Sequence, residues 1–103
     1  MPMKALERGD WFVEVEPTTW LEIISFLNKN GWLPGIPISH MLGPMYEFGD
    51  ELANHFSMAG EIILEETMKD PLAAYSMIRF DMGKFAEIIE FAKGGGFTIR
   101  TTD

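Results

Sequence analysis

Hydrophobic and polar positions alternate from residue 11 onward: in Trp11-Phe12-Val13-Glu14-Val15-Glu16, Trp11, Val13 and Val15 share one side of an extended segment. Phe12, Glu14 and Glu16 share the other, the pattern of a half-buried strand with the first set inward. The period then lengthens. After Pro17-Thr18, Trp20, Ile23, Ile24 and Leu27 recur at helical spacing, and Asn30-Gly31 supplies a left-handed helix cap. A second helical stripe, Leu52, Phe56, Ala59 and Ile63, begins after Asp50 as N-cap, with Ser57 as an alternative start, and stops at Lys69-Asp70-Pro71. Residues 71–80 read equally as a short helix from Pro71 or a strand through Tyr75-Ser76-Met77-Ile78. Asp81 caps a last helix with Met82, Phe85, Ala86, Ile89 and Ala92 on its core face. Gly94-Gly95-Gly96 reads as a flexible helix cap, and Phe97-Thr98-Ile99-Arg100-Thr101 alternates as a final strand.

Between the first two helices lie residues 31–49, GWLPGIPISHMLGPMYEFG, with three Pro, four Gly and a single charged side chain, Glu47. A loop of this length in a compact domain is uncommon and is usually functional or disordered, and its apolar content argues against disorder. Met45-Tyr46-Glu47-Phe48 could form a short strand within it. Together the elements predict an α+β fold: one domain over 1–103, with a small antiparallel sheet of N- and C-terminal strands packed by about three helices. If strands 11–15 and 97–101 are neighbours, Arg100 should lie near Glu14 or Glu16 on the solvent face.

The segment FAEIIEFAKGGGFTIR (residues 85–100), together with Asn30-Gly31-Trp32, resembles a group of small uncharacterised bacterial proteins that end in a helix, a Gly pair and a Phe-containing strand. The resemblance covers about a quarter of the chain. It implies a bacterial or phage origin and brings no activity or site residues with it.

Charge and composition then narrow the function classes. Sixteen Asp plus Glu against eight Lys plus Arg leave a formal charge of −8 across 103 residues. Such a balance argues against direct nucleic-acid binding, which draws on Lys and Arg to neutralise phosphates. The absence of Cys excludes disulfides, thiol nucleophiles and Cys-ligated metals. Residues 1–10 lack the apolar core of a secretory signal and no window is long and apolar enough for a membrane helix, so the expected location is cytoplasmic. Eight Met and three Trp are many for one small core. Met either fills irregular core gaps or joins Trp and Phe in an adaptable contact patch.

Chemistry-bearing motifs are sparse. Glu51 and His55 share a helical face, but one His with nearby carboxylates is not a metal site, and no metal or cofactor is implied. Glu61, Glu65 and Glu66, like Glu87 and Glu90, have the spacing of a solvated helix face rather than of an acid-base pair. No Ser sits in a hydrolase elbow. The glycine triplet follows a helix and precedes a strand, the reverse of a phosphate loop.

The expected function is therefore a non-enzymatic interaction protein, of inhibitor or immunity type, binding a basic protein partner. Its contact candidates are Trp32, Ile36, Met41, Met45 and Tyr46 in the 32–48 loop and Glu61 and Glu65 on the second helix. The alternative is a small-ligand binding domain or small enzyme with a pocket under that loop, lined by His40, Tyr46 and Trp32. A homodimer burying the loop is a third arrangement.

Overall fold

A computed structural model describes residues 2–72 and 78–102. In chain order its elements are β1 (Met3–Arg8), β2 (Trp11–Val15), α1 (Pro17–Lys29), a 3-10 turn (Ile38–Leu42), β3 (Met45–Phe48), α2 (Asp50–Lys69), α3 (Met82–Ala92) and β4 (Phe97–Thr102). The four strands form one antiparallel sheet in the order β2-β1-β4-β3. Helices cover one face, giving the α+β arrangement expected from the hydrophobic periodicities. Of the ambiguous stretch 71–80, the middle lies outside the described residues; Pro71 and Leu72 have helical backbone and 78–80 are irregular.

One strand had no counterpart in the sequence reading. β1 forms a hairpin with β2 across Gly9-Asp10, where Gly9 takes a φ of 60° at the first turn position, as a II′ turn requires. β1 occupies the place next to β4 that the reading assigned to residues 11–15, so the predicted pairing is corrected: Arg100 lies on β4 across from Ala5, and its guanidinium binds the Glu7 carboxylate rather than Glu14 or Glu16. β1 escaped notice because its inward face is polar. Lys4, Leu6 and Arg8 point toward the helices, in a row with Val13 and Val15 on one side and Ile99 on the other.

Both inward cations have definite partners. Lys4, only 5% exposed, donates from Nζ to Gly43 O at 2.8 Å, Leu42 O at 3.3 Å and Thr101 Oγ1 at 2.9 Å. Arg8 donates from Nη2 to Phe91 O at 2.6 Å and Gly95 O at 2.7 Å, and from Nε to Gly96 O at 3.1 Å. Each ties one irregular segment to the sheet. The glycine triplet is thus not a loose cap: a Cβ on Gly94 would run into the Arg8 guanidinium, and one on Gly96 would stand 2.8 Å from Phe48 O.

α1 follows its stripe, whereas α2 buries Ala53, Ser57 and Gly60 beside Phe56 and Ile63 and leaves Leu52 and Ala59 half-buried, and α3 buries Ile88 and Phe91 beside Phe85, Ile89 and Ala92 and leaves Met82 and Ala86 half-buried. α1 buries Trp20, Ile23, Ile24 and Leu27, and Gly31 at φ 107° lets the Trp32 amide reach back to Leu27 O at 2.9 Å, a Schellman closure. α3 starts at Asp81, whose carboxylate accepts from the amides of Gly83 and Lys84. For α2 the N-cap is Gly49, not Asp50; Asp50 sits in the first turn, where its Oδ1 accepts from Gly96 N at 2.7 Å and ties the helix to the glycine triplet. Gly60 is a weak helix former with a purpose, since a Cβ there would overlap the buried Ile89 side chain and force α2 away from α3. The core is aromatic at its centre, with Phe48 and Phe97 stacked at 4.6 Å and Trp20, Trp32 and Phe56 packed around them.

Candidate protein-binding groove

The 31–49 connection is part of the core rather than a presented loop. Trp32 is 3% exposed and Met41 fully buried, which removes both from the set of surface contacts. Trp20 Nε1 donates to Met41 O at 3.0 Å while Lys4 holds the carbonyls of Leu42 and Gly43, so this irregular backbone has its polar groups satisfied from the helix and the sheet. Ile36 and Tyr46 are half-buried against the same cluster. Only Met45, on the open face of the sheet, is exposed among the five loop candidates. Of the acidic pair, Glu61 binds Lys93 Nζ at 2.8 Å and bridges α2 to α3, whereas Glu65 is exposed on α2. The structure therefore does not gather the seven predicted residues into one patch, and the loop's own side chains fill the space beneath it.

Leu33 and Met45 are the exposed large apolar side chains of the connection, and the exposed aromatic ones lie elsewhere. Trp11 is 75% exposed and Phe12 61%, on opposite faces of the edge strand β2, so the expectation that Trp11 turns into the core is also corrected. Its register places it on the helix-facing side, opposite Arg8, but it lines an open groove rather than packing under α3. Between β2 and α3 this leaves a groove of about 530 Å³ lined by Arg8, Trp11, Val13, Phe91, Glu87 and Glu90, with Phe12 at its rim. The Arg8 guanidinium carbon lies 4.4 Å from the centre of the Phe91 ring and forms part of the floor while its N–H groups hold the α3 terminus.

The walls of the groove are acidic. Glu87 binds Lys84 at 2.6 Å and Glu90 binds Lys93 at 3.1 Å, yet both carboxylates remain more than half exposed to water. Contact with Glu61 and Glu90 raises the Lys93 pKa. Glu14 lies on the strand itself, flanked by Asp10 in the hairpin turn and Glu16 at the N-cap of α1, and no Lys or Arg occurs from residue 9 to residue 28. A second, shallower groove of about 310 Å³ runs between Leu33 and the exposed Met58 and Ile62 of α2, beside His55.

Sequence reasoning missed the groove beside β2 because it needs β1, α3 and the hairpin tip together. The signal that could have found it was Gly-Asp between two extended segments, a hairpin turn pair that places Trp11 and Phe12 at an edge. Among the described residues no group of three or more His, Cys, Asp or Glu could hold a metal ion, and no helix is long and apolar enough to cross a membrane. No protein family, curated protein or solved structure matches the chain.

Proposed function

We propose that the chain is a non-enzymatic interaction protein, of inhibitor or immunity type, that binds a basic protein partner. The observation that carries this reading is the pair of exposed aromatic side chains, Trp11 and Phe12, on an edge strand beside a groove walled by Glu87 and Glu90. Large aromatic anchors supply contact area at protein interfaces, and a surrounding acidic field accelerates encounter with a basic partner and selects for it. The formal charge of −8 acts in the same sense over the whole surface. Support for a small-molecule pocket is weaker, because the loop that would roof it is itself packed as core.

Affinity capture from the native host across a salt series, with the parent chain and a Trp11→Ser/Phe12→Ser variant, tests the reading. A basic protein retained at low salt, released as salt screens the charges, and lost with the double variant is the expected result. Capture that ignores both salt and the two aromatics would count against it.

A further inference from the structure

We propose that the groove receives an extended segment of the partner, which adds to β2 as a further strand and alternates apolar residues with Lys or Arg; this rests on the protein-binding reading above. The first ground is the state of the sheet edge. β2 pairs with β1 in unbroken register from Trp11 to Val15, and among the described residues no strand pairs with its outer side. Edge strands are normally blunted by Pro, Lys, bulges or brevity, because their free N–H and C=O groups recruit other strands. β2 has no Pro, Lys or bulge; its one charged side chain is Glu14, and it exposes two aromatics. The opposite edge is protected by contrast: β3 has four residues, follows Pro44, and has the 3-10 turn packed against it.

The second ground is where the side chains of an added strand would go. Successive residues of a strand point to opposite faces. One set would enter the groove over Trp11, Val13 and Phe91, an apolar floor with Glu87 and Glu90 within reach of a long basic side chain. The other set, apolar, would lie across the open face against the exposed Phe12 ring. Lys84, Lys93 and Arg8 are each engaged by carboxylates or carbonyls of the chain itself, so the carboxylates of Glu87 and Glu90 on the groove wall, with Asp10, Glu14 and Glu16 in and beside β2, favour a cationic occupant. A second copy would bring its own Asp10, Glu14 and Glu16 to the same edge, against charge repulsion.

The experiment uses the full chain and, as probe, a capped peptide of about eight residues alternating Lys with Val, a typical strand length. Versions with Glu in place of Lys and with alternate backbone amides N-methylated serve as comparisons. Binding is expected to slow exchange of the β2 amides that do not bond to β1 by about tenfold or more. It should weaken about tenfold or more on N-methylation, on Lys-to-Glu replacement and in a Glu87→Gln/Glu90→Gln chain, with the thermal midpoints of the variants near the parent's. Binding that depends on Trp11 but ignores N-methylation and leaves β2 exchange unchanged overturns strand addition while leaving the protein-binding reading intact. No binding of the Lys-Val peptide up to about 1 mM also overturns it, and the salt-series capture then judges the broader reading separately. Protection of β2 that disappears on dilution of the free chain would identify a second copy as the occupant and overturn the proposal.

Discussion

Trp32 and Trp11 sit in regions of opposite appearance and opposite fate. Trp32 lies in a Pro- and Gly-rich connection with little regular structure and is 3% exposed; Trp11 lies in a hydrogen-bonded strand and is 75% exposed. Regularity of the backbone does not decide burial. An irregular segment can enter a core when other elements satisfy its carbonyls, as Trp20 and Lys4 do here. A regular strand leaves its side chains in water when it is the last in the sheet and a groove separates it from the covering helix, as between β2 and α3 here.

The sharpest way to break this contrast is to remove each ring. Trp32→Ser should cost about 3–5 kcal/mol of stability through lost burial and the cavity it leaves. Trp11→Ser should stay within about 0.5 kcal/mol, as surface changes usually do. Urea unfolding midpoints of the two variants compare them directly, and equal costs would mean that the hairpin tip is packed in solution.

Next in size is the clamp that lets the connection be buried. Lys4→Met leaves the carbonyls of Leu42 and Gly43 without their donor and should cost about 1–3 kcal/mol, with faster amide exchange through the 3-10 turn and β3. Burial also pushes the Lys4 pKa down. The unfolded chain therefore holds this proton more tightly, so the Lys4 contribution to stability should rise as pH climbs from the lowered folded value to the ordinary lysine value. Subtracting the Lys4→Met profile from the parent's isolates that rise; a flat difference through this window would show the ammonium to be hydrated.

A smaller effect separates two buried indoles. Trp20 Nε1 binds Met41 O, whereas Trp32 Nε1 is buried without a hydrogen-bond partner among the described residues. Trp20→Phe should therefore cost more than Trp32→Phe, by about 1–2 kcal/mol, because it orphans a carbonyl while the other change removes an orphaned donor. Thermal unfolding of the pair checks the order, and a costlier Trp32→Phe would imply a partner for that N–H in solution.

The smallest effect belongs to the open face of the sheet. A hydrogen bond from Arg100 lowers the Glu7 pKa, so the pair's contribution is present above the ordinary carboxylate range and fades as pH falls through the depressed folded value. Glu7→Gln should slightly flatten the acid limb of the stability profile, and added salt should shrink the difference between the two chains, as for any solvated pair. A large loss with Glu7→Gln would instead show that this face is covered.

Helix stripes and their stops were legible in the sequence because each is local. The Asn30-Gly31 closure, the Asp81 cap and the face of α1 depend on neighbours within a few residues, and the structure has them where the sequence put them, while the α3 face also takes in Ile88 and Phe91, which pack on it only in the tertiary structure. β1 was not legible, since Lys4 and Arg8 face inward and invert the usual alternation to serve acceptors at Gly43 and at Gly95, far along the chain. The candidate site was legible only in composition. An acidic chain with surplus aromatic and Met side chains pointed to contact surface, but Trp32 and Met41 of the loop that held many of them are core, and the exposed aromatics are Trp11 and Phe12.

By itself, then, the sequence determined the helices, the α+β class, the acidic field and the absence of thiol chemistry, because composition and short-range periodicity carry those properties. Only the tertiary structure decided which aromatics are core and which are surface. That choice depends on sheet order, on how far α3 reaches over β2, and on long-range donors to an irregular backbone, and none of these is encoded within a single stretch of residues.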